Sequence, residues 1–137
     1  MTRPAWSEYL AVAVGGALGT GLRWGLDLLI PHRADQFPVS TLITNLAGTL
    51  VLAILVAAVW TRPVPAWLKA GLGPGVLGTY TTFSAIALAL VTLTEAGEPA
   101  VAAIYLVASV VGGLAIGALG FAVGGRLRPI PWREELE

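Results

Sequence analysis

The chain contains no cysteine, which excludes disulfides and thiolate metal sites and leaves the compartment open. Charge is scarce as well: 12% of the 137 residues are charged, and the formal net charge is zero. The basic excess that a nucleic-acid binder needs is therefore missing. The single histidine, His32, lies in a loop without a neighbouring ligand cluster and reads as solvated. The sequence holds no metal motif, no nucleophile paired with a base and no phosphate-cradling glycine loop. An enzyme, or a pump with its own ATP site, is not expected.

What the chain has in abundance is apolar surface, with 56% hydrophobic residues. A soluble domain could not keep a polar exterior with that composition, so the bilayer is the expected solvent. Crossing a hydrocarbon core of about 30 Å takes roughly 20 helical residues, which leaves room for four crossings and short loops. The spans are expected over 9–30, 39–60, 67–93 and 100–123, forming a single domain over 1–137. Pro31 ends the first span, and Pro63 and Pro65 enforce a turn after the second because proline cannot continue a helix. The run 94–99 is polar and turn-forming, Gly124 and Gly125 are expected to close the fourth span, and the charged tail reads as a solvated end. The first apolar stretch carries Arg23 and Asp27 and lacks a small-residue cleavage pattern, so it reads as a retained helix. Trp6, Trp24, Trp60 and Trp67 fall near span ends, where an indole buries its body and wets its N–H. Glycines four apart, Gly15/Gly19, Gly21/Gly25, Gly113/Gly117 and Gly120/Gly124, put a smooth stripe on one helix face and predict close helix packing.

The third span is unlike a lipid-facing helix. Gly71, Gly73, Pro74, Gly75 and Gly78 precede Thr79, Tyr80, Thr81, Thr82, Phe83 and Ser84. Such a run predicts a helix broken near the bilayer midplane, where freed carbonyls bind cations and freed N–H groups attract anions. In the second span, Thr41, Asn45, Gly48 and Thr49 share one face. An embedded asparagine needs a partner, either another helix or a permeating anion. Tyr105, Ser109, Gly113 and Gly117 form a matching stripe on the fourth span. Arg23 and Asp27, one turn apart, can pair internally or snorkel to the interface.

Three segments resemble the Fluc (CrcB) family of fluoride channels: GGALGTGLR at 15–23, TLITNLAG at 41–48 and GVLGTYTTFS at 75–84. They occur in the family's order, and the TTFS run after the glycine-rich break is the most specific part. The resemblance implies an antiparallel dimer of subunits inserted in opposite orientations, with two fluoride pores and a central sodium ion. It implies that the backbone carbonyls of Gly78 and Thr81 supply half of the sodium shell. It places Asn45, Phe83, Ser84, Thr82, Tyr105 and Ser109 on the fluoride path and gives Arg23 a structural role. Four positions depart from the family pattern: Ile86 replaces a phenylalanine, Ala85 a threonine, Thr79 a glycine and Gly113 a serine. Fluoride holds its water tightly, so its pore must replace that shell with N–H, O–H and aromatic-edge donors.

Two other readings are weighed against this one. A small multidrug exporter needs an acid near the middle of its first helix, whereas Glu8 and Asp27 flank the span. A non-conducting structural subunit explains the glycines but not the hydroxyl-rich break. The basic residues are also unevenly distributed. Arg3, Arg62, Lys69, Arg126, Arg128 and Arg133 share the side of the termini, and Arg33 alone is opposite. Because basic loops stay cytoplasmic, both termini are expected inside, in the cell's inner or plasma membrane. A sequence that inserts both ways needs a bias near zero, so a heterodimer with a homologous chain of opposite bias is favoured over a homodimer.

Overall fold

The computed structural model describes residues 5–127. Every regular element among them is helical: α1 (Trp6–Leu29), α2 (Val39–Ile54), α3 (Ala66–Ala70), α4 (Gly78–Tyr80), α5 (Ser84–Glu95) and α6 (Pro99–Arg126). The local sequence explains where they start and stop. Glu8 reaches back to the Ala5 N–H at 3.2 Å, occupying a donor that the first turn of α1 leaves unpaired. Pro31, Pro38 and Pro65 bound the loops, and Pro99 occupies the first turn of α6, where its missing N–H costs nothing. Between α5 and α6, Gly97 takes φ 81° and turns the chain. Gly124 and Gly125 do not close the last helix, contrary to expectation. Gly124 is buried against α2 and α6 continues to Arg126. From residue 128 the expected solvated tail, like Arg3, lies outside the described residues.

Two helical stretches are wound wider than an α-helix. α2 continues into a π-helical turn over Leu55–Val59, in which the Trp60 N–H donates five residues back to Leu55 O at 2.8 Å. α3 continues into another over Gly71–Leu77. Pro74 sits inside it and has no N–H, so the ordinary i to i−4 ladder cannot close there. The Gly78 N–H instead reaches Gly73 O.

The helices pack as two parallel pairs. α1 lies along the 66–77 segment: Gly71 faces Ala11, and Gly15 and Gly19 face the backbone of Gly71 and Val76. α2 lies along α6, where Leu46, Thr49, Ala53 and Ala57 meet Gly112, Gly117, Gly120 and Gly124 in turn. Residue numbers rise together in both pairs, as they do when alternate crossings are neighbours. The glycine stripes divide accordingly. Gly15/Gly19 and Gly120/Gly124 pack within the chain, whereas Gly21, Gly25 and Gly113 face open space.

The core is narrow, built of Ala53, Ala57, Ala58, Leu77, Leu93, Ala102 and Tyr105. Leucine, valine and isoleucine cover much of the outside, the inverse of a soluble fold. Val39–Val59, Ala66–Glu95 and Pro99–Arg126 are long and apolar enough to cross a bilayer. Four spans were expected, and three meet that measure. α1 has the length, 24 residues, but carries Glu8, Arg23 and Asp27.

Candidate functional site

The site is built where the third span loses its helix. α4 ends at Tyr80, Thr81 is extended at φ −80° and ψ 155°, and α5 starts at Ser84. Asn45 of α2 fills the gap. Its Nδ2 donates to Thr82 O at 3.0 Å, and its Oδ1 accepts the Thr82 N–H at 2.8 Å. One side-chain amide thus pairs both backbone groups of a residue that belongs to no helix. Gly48, one turn further along α2, admits Tyr80 and Thr81, because a methyl group at this position would collide with the Thr81 side chain.

These bonds redirect the ladder. The Thr82 N–H goes to Asn45 instead of to Gly78 O, four residues back. The Ala85 N–H goes to Thr82 Oγ1 at 3.2 Å instead of to Thr81 O, so Thr82 caps α5. Among the described residues, the carbonyls of Gly78 and Thr81 are therefore left without helical donors. Two free backbone oxygens suit a hard cation such as sodium. No group of three His, Cys, Asp or Glu side chains that could hold a metal occurs among the described residues.

A cavity of about 380 Å³ opens beside the interruption, lined by Asn45, Thr49, Gly78, Thr81, Thr82, Phe83, Ile86, Ser109 and Gly113 among others. No charged side chain lines it. Six of the nine residues expected at the two ion sites or in structural support meet here: Asn45, Gly78, Thr81, Thr82, Phe83 and Ser109. Phe83 is 81% exposed, its ring standing outside the subunit. The Thr81 hydroxyl is turned back to Leu77 O at 2.9 Å. A second cavity of about 400 Å³ shares Thr49, Gly78 and Thr81 and runs towards Pro74 and Trp60.

The other three expected residues stand apart from the cavity. Ser84 pairs with the Thr82 hydroxyl at 3.0 Å. Tyr105 is fully buried, its ring edge-on to Phe37 with centroids 5.3 Å apart. The Tyr105 and Ser109 hydroxyls are both buried without a hydrogen-bond partner among the described residues, and of the two only Ser109 lines the cavity. Arg23 forms no ion pair with Asp27; its Nε is buried without a hydrogen-bond partner, and the salt bridge among the described residues is Arg33–Asp35. Asp27 instead lines a cavity of about 310 Å³ with His32, Arg33 and Thr41. His32 is exposed but lies 3.5 Å from the buried Ser40 hydroxyl. Sequence reasoning missed the Phe37–Tyr105 contact, which leaves no periodic trace because Phe37 is in a loop.

The family described as "CrcB-like protein, Camphor Resistance (CrcB)" matches residues 10–121. Among similar proteins, "Fluoride-specific ion channel FluC 2" of Geobacillus kaustophilus (strain HTA426) is 40% identical over 83% of this chain and 90% of its own length. The protein of the same description from Bacillus subtilis (strain 168) is 39% identical over 94% of this chain and 96% of its own. "Fluoride-specific ion channel FluC" of Paracoccus denitrificans (strain Pd 1222) is 43% identical over 85% and 93%. A match running from the first helix through most of the last, with relatives covered almost end to end, places the interrupted helix and its Asn45 partner inside the shared region: the chain is a multi-pass membrane protein of the CrcB-like family.

Proposed function

We propose that this chain is a subunit of a passive, fluoride-selective channel that lets fluoride leave the cytoplasm. The observation that carries the reading is the charge-free, donor-rich cavity at the interrupted helix. A fixed positive charge would hold an anion too tightly to release it, whereas neutral donors replace hydration water and let go. The second Nδ2 hydrogen of Asn45, the hydroxyls of Thr82 and Ser109 and the ring edge of Phe83 are such donors in the cavity, and the proposed path extends from it to the hydroxyls of Ser84 and Tyr105. The driving force is the gradient itself. HF crosses the bilayer uncharged and ionises inside, so the trapped anion leaves downhill without an ATP site. Relatives named as fluoride-specific channels over nearly the whole chain support the same ion.

The assembly proposed with it has four transmembrane helices in one domain over 1–137, with the third broken near the midplane, and packs as an antiparallel dimer. Both termini face the cytoplasm from the inner or plasma membrane. The Gly78 and Thr81 carbonyls would hold half of a structural sodium ion, and the partner would complete the shell. Exposure of Gly78 and Phe83 on the perimeter supports a partner on that face. The heterodimer is favoured over the homodimer by the uneven basic residues. Liposomes loaded with fluoride or with chloride test the function: fluoride efflux with chloride retained is expected, and equal fluxes of the two from well-folded protein overturn it.

A further inference from the structure

Thr79 stands where the widened turn rests on α1. Its single hydroxyl proton is shared between Gly75 O at 2.8 Å and Gly16 O of α1 at 3.1 Å, with Val76 O 3.3 Å away. Gly19 makes the seat. A side chain there would collide with Val76 O and Thr79 Oγ1, so the hydroxyl occupies space that only glycine leaves free. The Thr79 methyl packs over Gly16 on the same face. One side chain therefore joins three things: the π-helical turn at Gly75 and Val76, the α1 backbone at Gly16, and, through its own neighbours in the chain, the carbonyl of Gly78 and the extended Thr81.

We infer that Thr79 is a positioning residue, a latch that fixes the widened turn to α1 and so sets where the Gly78 carbonyl and the Thr82 amide stand. Widening by Pro74 removes ladder bonds from this segment, and glycines at 71, 73, 75 and 78 give it little stiffness of its own. Without an external tie, the turn between α3 and α4 is free to slide between π and α register. Such a slide would rotate everything after Gly78 relative to Asn45. Asn45 holds the interruption from the α2 side; Thr79 holds it from the α1 side.

The effect on ion flux rests on the channel function proposed above, but the effect on local motion does not. Thr79→Val removes the donor at nearly constant shape, and Thr79→Ser keeps it. Amide hydrogen exchange of the full-length protein in detergent micelles reads the latch directly. In Thr79→Val, exchange over residues 79–84 is expected to rise about tenfold while α6 amides keep their rates, because losing one tie opens a local unit first. Thr79→Ser is expected to exchange like the parent. Liposome fluoride efflux is expected to fall with Thr79→Val and to be preserved in Thr79→Ser. Unchanged exchange over 79–84 in Thr79→Val overturns the latch, whatever the flux does. An equal rise in α1, α2 and α6 overturns it too, by showing only a general loss of stability. A parent protein that passes no fluoride removes the channel reading and leaves the exchange comparison to decide the latch.

Discussion

Asn45 shows how much one side chain carries at the residue scale. It supplies both a donor and an acceptor to the Thr82 backbone, so no substitution preserves both bonds except one that keeps the amide. Asn45→Asp retains the acceptor for the Thr82 N–H but turns a carboxylate oxygen towards the Thr82 carbonyl, and adds a negative charge to a cavity that has none. The loss of that bond and the repulsion are expected to destabilise the fold by about 1–3 kcal/mol. Fluoride efflux is expected to drop by more than the stability loss explains, since repulsion of an anion is large at low dielectric. Thermal unfolding in detergent beside liposome efflux checks it; an Asn45→Asp protein conducting like its parent returns Asn45 to a packing role. The need of Asn45 for a partner was legible in the sequence, because an embedded amide is too costly to leave alone. Its partner was not legible, since Thr82 lies 37 residues away and nothing local records the pairing. Arg23 and Asp27 show the converse: their spacing allows a bond within one helix, and they do not make it.

At the scale of elements, helix limits were readable because proline and glycine act locally. The loops at 30–38, 60–65 and 96–98 fall where those residues stand. The π-helical stretches were less readable. Pro74 signals one, but nothing comparable marks Leu55–Val59. The glycine pairs separate by what faces them, which periodicity cannot tell. Gly120 meets α2 so closely that a methyl group would sit 2.6 Å from the Ala53 Cβ and 3.0 Å from Leu50 O. Gly120→Ala is expected to cost about 1–3 kcal/mol through overpacking. Gly21 lies within α1 and faces open space, so Gly21→Ala is expected to cost no packing and to raise stability by about 0.5–1 kcal/mol. Chemical unfolding of the two variants side by side tests the distinction, and equal losses would mean that the α2–α6 contact is looser than the backbone positions imply.

For the whole molecule, the proposed orientation rests on charge. Of the basic residues assigned to the side of the termini, Arg62, Lys69 and Arg126 are among the described residues, and Arg33 is on the opposing loop. Single cysteines placed in the 60–65 and 96–98 loops are expected to react with an impermeant thiol reagent from the cytoplasmic and external sides, respectively. Equal labelling of each loop from both sides, with full channel activity from this chain alone, would replace the heterodimer with a dual-topology homodimer. The bare carbonyls of Gly78 and Thr81 carry a further consequence. On the perimeter of a lone subunit they would meet hydrocarbon, where an unsatisfied backbone group costs several kcal/mol. In the proposed dimer, pairing would cover these groups and so add to the stability of the folded subunit. If the chain pairs as proposed, a subunit made in excess of its mate would lack that cover, and the number of assembled channels would follow the scarcer chain.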